Sequence, residues 1–165
     1  MLTFCLLLLI SGFSMAQTEE KNRIPDGLYL VTALGNDTAQ SQAHPGNHTA
    51  VNFNYDFISK SDMEYDEIRI DTSEFVPLEL ENLPTTEQQT ATKKKLLFSL
   101  TTEASEKLHT FTANHIMDKV ALVVDGKAVS IHKIREPVTG GQLQITTCSD
   151  NACERLIVRM QNNMN

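Results

Sequence analysis

Five histidines, three cysteines and one run of carboxylates are the side chains best suited to chemistry in this chain. His44 and His48 stand four apart, a spacing that ligates a metal when a helix fixes both rings. Here they fall among Gly, Asn, Ser and Pro, a composition that reads as a loop, so no metal site is expected from them. His109 and His115 are six apart on one predicted helix and therefore point different ways. His115 lies near its end, where an imidazole can cap the last carbonyls and meet the negative pole of the dipole. His132 falls on a predicted strand. Asp62, Glu64, Asp66 and Glu67 lack the glycine and the closing glutamate of a calcium loop, which leaves them as a solvated turn. Gly140-Gly141 is an isolated pair that serves a turn, and no Gly-x-Ser-x-Gly elbow occurs. A hydrolase would need the fold to gather His109, Asp118 and Ser130, for which no local motif speaks. No catalytic residue, cofactor or metal is therefore expected.

The N-terminus and the cysteines bear on the compartment. Met1 to Ala16 carries no charged side chain, and its apolar run Leu6-Leu7-Leu8-Leu9-Ile10 is broken by Ser11-Gly12 and closed by Ser14-Met15-Ala16. Small residues at Ser14 and Ala16 fit cleavage by signal peptidase before Gln17, and the run is shorter than the roughly 20 apolar residues of a bilayer span. Residues 1–16 thus read as a signal peptide whose only positive charge is the terminal amine. An exported chain, periplasmic or secreted, is expected from Gln17 onward, with no membrane insertion after cleavage. Loss of Cys5 with the leader leaves Cys148 and Cys153. An even count in an exported chain favours a structural disulfide over free thiols, and the spacing is not the CxxC of redox proteins. A bridge over so short a loop would contribute at the low end of about 2–4 kcal/mol.

Charge excludes further classes. The 165 residues include 14 Lys+Arg against 21 Asp+Glu, for a net charge of -7, and 41% are apolar. Nucleic-acid binding is driven by counterion release from Lys and Arg clusters, which this balance does not supply. The apolar content argues against disorder. Lys93-Lys94-Lys95 reads as the solvated lead-in to a strand. Asn36-Asp37-Thr38 and Asn47-His48-Thr49 match the glycosylation pattern, as an Asn- and Thr-rich chain does by chance.

Positioning of these groups falls to the elements between them. After a polar lead-in ending at Pro25, Leu28–Val31 reads as a strand, and residues 35–49 read as a loop. Val51, Phe53, Tyr55 and Phe57 alternate with polar residues, the period of a half-buried strand. Glu67–Ile70 and Phe75–Leu80 suggest shorter strands, the second placed at an edge by Pro77, and residues 82–94 read as a polar loop. Leu96–Leu100 is a strand; Thr101 or Thr102 then caps a helix with Ala104, Leu108 and Phe111 on its apolar face. Val120–Val124 is a continuous β-branched run, hence a buried central strand. Asp125-Gly126 is a strong hairpin signal, and Lys127–Ile134 returns with Val129, Ile131 and Lys133 on one face. A turn through Pro137 and Gly141 leads to a strand at 142–147. A final helix follows, capped by Ser149, with Asp150 in its first turn and Ala152, Cys153, Leu156, Ile157 and Met160 as its apolar face. The predicted fold is α+β: a mostly antiparallel sheet with two helices on one face, β-α-β-β-β-α in the C-terminal half, preceded by extra N-terminal strands. The expected divisions are 1–16 as leader, 17–94 as N-terminal strands and loops, and 95–165 as the α+β part.

The second half also carries a resemblance. Phe98-Ser99-Leu100-Thr101 with Glu103-Ala104 opens it, and Phe111-Thr112-Ala113-Asn114-His115-Ile116 leads into Val120-Ala121-Leu122-Val123-Val124-Asp125-Gly126-Lys127-Ala128-Val129-Ser130. Ile134, Pro137, Gly141 and Gln144-Ile145-Thr146 follow in order. Together, from Phe98 to Met160, they resemble the periplasmic head subdomain of the SecD/SecF protein-translocation factors. After Ile145-Thr146 this chain departs from the family's Gly and aromatic with Thr147-Cys148, where a disulfide can stand in for lost packing. Family members embed the head between transmembrane helices that carry the proton-driven step, and no such helix is predicted here. The resemblance therefore implies the fold, the compartment and contact with extended polypeptide or another envelope protein, without the translocase step. Asp125, Gly126, Pro137 and Gly141 are expected to be fold-determining turn residues first. The reading is an exported, non-catalytic, protein- or peptide-binding module; its alternatives are a structural envelope protein without a ligand, or a hydrolase.

Overall fold

The computed structural model describes residues 23–35, 47–60, 64–91, 93–148 and 151–164. The expected leader with Cys5 and Gln17, His44, the Asn36 pattern, Asp62, Ser149 and Asp150 lie outside the described residues. The elements run β1 (Gly27–Leu34), β2 (His48–Asn52), β3 (Glu67–Pro77), β4 (Thr85–Gln88), β5 (Lys94–Ser99), α1 (Thr102–Asn114), β6 (Lys119–Val124), β7 (Lys127–Lys133), β8 (Gln142–Cys148) and α2 (Ala152–Met164). All the strand ladders are antiparallel, in the orders β2-β3-β1-β6-β7 and β4-β5-β8.

The α+β class stands as expected, while the four strands foreseen between Leu96 and Thr147 divide between two sheets. Burial explains the division. Val120 to Val124 are all buried, so β6 needs cover on both faces and takes the place between β1 and β7. In β5 only every second residue, Leu96 and Phe98, is fully buried, which suits a three-stranded sheet with one wet face. Strands from both sides of residue 95 thus share the larger sheet. Its outer face, with Leu28, Leu30, Val120 and Leu122, meets Leu96 and Phe98 of the smaller sheet and the apolar faces of both helices in one core.

The inner face closes on itself. Phe53 forms a parallel bridge with Ala128, and Asn54 N–H donates to the Ala128 carbonyl at 2.8 Å, so the two outer strands of the five meet. Tyr29, Val51, Ile68, Ile70, Ala121 and Val123 fill the interior so enclosed. Register shifts supply the curvature: two lie between β1 and β3 and one between β6 and β7.

These features revise several expectations. His48 and Thr49 belong to β2, not to a loop. The alternating run does not continue as a strand through Tyr55: the Asn54 side chain accepts from Asp56 N–H at 3.1 Å, and its carbonyl accepts from Phe57 and Ile58, turning the chain so that Phe57 is buried outside any strand. Thr85–Gln88, foreseen as loop, pairs with β5 despite being fully exposed; backbone bonds carry it, joined by the cross-strand ion pair of Glu87 with Lys95 at 2.9 Å. Val129 and Ile131 do not share a face. Leu122 opposes Ser130 while Val123 opposes Ala128, so Val129 is the extra residue of a bulge; it packs in the outer core, and Ala128 and Ile131 pack in the inner one.

Caps and turns are as the residues dictate. The Thr101 hydroxyl accepts from Ala104 N–H at 3.3 Å, and Ala104, Leu108 and Phe111 are buried along α1. Asp125 and Gly126 have φ of 55 and 69°, the signs a two-residue type I′ hairpin requires. The Asp26 carboxylate accepts from Asp125 N–H at 2.8 Å and pins that turn. Gly141 has φ of 64°, its carbonyl accepts from Leu100 N–H at 3.0 Å, and a Cβ there would lie 1.9 Å from Ser105 Oγ.

Two outcomes follow. Gly141→Ala combines left-handed backbone strain with overlap and should lower unfolding free energy by about 2–4 kcal/mol in urea titration, whereas Gly140→Ala, with open space around it, should cost about 1 kcal/mol. Burial holds the Asp26 carboxyl above its ordinary value, against the Asp125 N–H bond and Arg23, which lower it. The folded chain therefore takes up this proton at higher pH than the unfolded chain, so the contribution of this group to stability rises as pH falls toward about 4. Asp26→Asn keeps an acceptor without the buried charge; it should be more stable than the parent at neutral pH, and the gap should close on acidification in thermal melts at stepped pH.

Candidate functional site

β3 behaves as two strands joined end to end. Ile68–Ile70 pair with Val31–Leu34 of β1, and β2 flanks Glu67–Asp71 on the other side. Phe75–Pro77 pair with Gly27–Tyr29, and among the described residues no strand flanks them beyond. Leu78 N–H donates to the Asp26 carbonyl at 2.9 Å, so by the antiparallel alternation Phe75 and Pro77 direct their backbone groups away from β1. Proline has no N–H to leave unpaired there. The two short strands expected from sequence are thus continuous in chain but separate in pairing, and Pro77 marks an open edge.

Helix α1 lies beside that edge and leaves a groove of about 440 Å³, lined by Glu74, Phe75, Val76, Glu103, Glu106, Lys107, Thr110 and Phe111. Its apolar wall is anchored. Val76 and Phe111 are buried, and the Phe75 ring stacks on Tyr29 with centroids 4.8 Å apart. Gly27 makes room for that ring, since a Cβ there would stand 2.8 Å from it. Around the rim stand three glutamates and one lysine. Lys107 pairs with Glu103 at 2.9 Å, and that bond raises its ammonium above the ordinary value. Free backbone groups, an apolar wall and an acidic rim suit an extended segment with apolar and basic side chains.

His115 contacts two of the lining residues, Glu74 and Phe111. Its Nε2 lies 3.7 Å from Glu74 Oε2, its Nδ1 lies 3.3 Å from Asp118 Oδ2, and its ring lies 4.8 Å from that of Phe111. It occupies the C-cap of α1, as its position predicts. The next two residues, Ile116 and Met117, are 40% and 60% exposed, and Met117 has φ of 74°. Met117 N–H donates to the Ile134 carbonyl at 2.8 Å and Asp118 N–H to the His115 carbonyl at 3.1 Å, so the exposed turn is fixed.

The remaining sequence-derived residues lie away from the groove. A disulfide joins Cys148 to Cys153, both buried, and ties β8 to the first turn of α2. Pro137 is exposed and followed by Val138, whose N–H donates to the buried Thr112 hydroxyl at 2.9 Å, hanging this connection on α1. His109, Asp118 and Ser130 are not brought together: His109 faces solvent on α1, Asp118 contacts His115, and Ser130 opposes Leu122 within β7. Among the described residues no group of three His, Cys, Asp or Glu is placed to hold a metal ion, and no helix is long and apolar enough to cross a membrane. Sequence reasoning missed the groove, because its two walls are about thirty residues apart; only Pro77 signalled the open edge.

A family model described as SecDF, P1 head subdomain, matches residues 78–163. Two solved structures share the fold. One is of SecDF, described as a membrane component that enhances protein export (TM-score 0.52, 23% identity), and the match covers 82% of this chain and 61% of that one. The other is SecDF in a super-membrane-facing form (TM-score 0.51, 22% identity), covering 80% and 18%. This chain therefore spans less than two thirds of either. No curated protein matches it.

The left-handed backbone of Met117 gives a stability test of this region. Met117→Gly relieves strain without removing a buried side chain and should raise unfolding free energy by about 1 kcal/mol by urea titration.

Proposed function

This chain belongs to the SecDF P1 head subdomain family, and on that premise we propose that it is a non-catalytic module of the cell envelope that holds extended polypeptide in connection with protein export. The observation that carries this reading is the open edge at Phe75–Pro77 facing α1 across an apolar groove. An unfolded segment laid there gains main-chain hydrogen bonds from Phe75 and the Pro77 carbonyl, and side-chain burial against Phe75 and Phe111, in the manner of strand addition. Affinity from so small a contact is weak, which suits a protein that must release what it holds. The acidic rim favours segments bearing Lys or Arg and repels acidic ones. A periplasmic location fits the disulfide between Cys148 and Cys153.

Thr110 is exposed and borders the groove, so Thr110→Trp should fill it without disturbing the core. Using a fluorescent, reduced and alkylated polypeptide as probe, the parent should bind it in preference to its folded form, and Thr110→Trp should weaken that binding at least about fivefold with the melting temperature unchanged. Equal binding of folded and unfolded probe, or undiminished binding by the filled variant, would return the chain to a structural component without a ligand.

A further inference from the structure

The end of the molecule beyond His115 has a composition unlike the rest. Ile116 and Met117 are exposed on a fixed turn, and the backbone bonds of Met117 and Asp118 to Ile134 set them beside the end of β7. Lys119 directly opposes Lys133 on the β6–β7 ladder, a like-charge pair that is unfavourable on its own, and Arg135 follows just beyond. All three are exposed, and among the described residues no ion pair reaches any of them. The carboxylates within this stretch are Asp118, which is turned to His115, and Glu136. In a chain with a net charge of -7, three exposed cations with no ion-pair partner among the described residues, beside two exposed apolar side chains, form a local exception. Met117 adds a second anomaly, since it keeps a large apolar side chain on a left-handed backbone where glycine would be unstrained.

We propose that this tip, made of Ile116, Met117, Lys119, Lys133 and Arg135, docks on the anionic headgroup surface of a phospholipid bilayer. The match is one of chemistry and depth. Lys and Arg engage lipid phosphates, while the two apolar side chains enter the boundary between headgroups and acyl chains. An acidic protein would satisfy the cations but would not call for two exposed apolar side chains beside them. Contact through so few residues is reversible and salt-sensitive, so the tip orients the molecule at a membrane rather than anchoring it. Docking here is independent of whether the groove holds polypeptide.

The test is sedimentation of the full-length chain with vesicles of phosphatidylcholine alone, or with one third phosphatidylglycerol, at low and high salt. The parent should bind the anionic vesicles at least about fivefold better than the neutral ones, and lose the difference in high salt. Lys119→Glu combined with Lys133→Glu should abolish the preference. Met117→Gly should weaken binding at least about threefold although its fold is the more stable, which separates docking from folding. The apolar N-terminal residues are common to all variants. Equal binding to both vesicle types, no binding, or variants that sediment like the parent would overturn the proposal. Capture by soluble polyglutamate that Met117→Gly leaves unchanged would overturn it in favour of an acidic protein partner.

Discussion

The structure depends on a strand with no wet face. Every residue from Val120 to Val124 is buried, at roughly 1.5–3 kcal/mol for each large apolar side chain. Such a strand can be stable only if something apolar covers each side. On one side the larger sheet curls until Phe53 meets Ala128; on the other, both helices and the smaller sheet close over Leu122 and Val124. The division into two cores, the bulge at Val129 and the separation of β5 from β6 all serve that double cover.

Polar contacts locate the pieces that burial holds together. At one end, Asp26 pins the Asp125-Gly126 turn, and Asp125 in turn pairs with Arg23 and, at 3.0 Å, with Arg159 of α2. Arg155 with Asp56, and Lys94 with Glu154, tie the same helix to the turn after β2 and to β5. Exposed pairs of this kind each contribute little, typically under about 1 kcal/mol, so their effect is on orientation. The Cys148–Cys153 bridge and the Thr112 hydroxyl, which donates to Leu108 at 2.7 Å while accepting from Val138, fix the entry to α2 and the connection before β8.

Relative to that scaffold, the groove and the tip lie at either side of His115, and both draw on α1. The helix offers the groove one wall and ends in the turn that presents Ile116 and Met117. His115, set between Glu74 and Asp118, joins them. The SecDF P1 head family model spans residues 78–163, and the chain shares its fold at 22–23% identity with longer chains.

Much of the architecture was legible in the residues because it rests on local rules. A threonine cap at 101 or 102, the spacing of Ala104, Leu108 and Phe111, the apolar run of β6 and the positive-φ demand at Asp125-Gly126 are each satisfied within a few residues, so sequence alone determined them, along with the α+β class and the family kinship. Pro77 foretold an open edge for the same reason. What the sequence left to tertiary structure was everything set by competition between distant partners: which sheet β6 joins, where Asn54 ends a strand that its alternation would prolong, why polar Thr85–Gln88 pairs at all, and how Glu74 comes to meet His115. Local patterns state that a face must be buried; only the folded chain decides against what, because cover, curvature and backbone pairing must be satisfied for all strands at once.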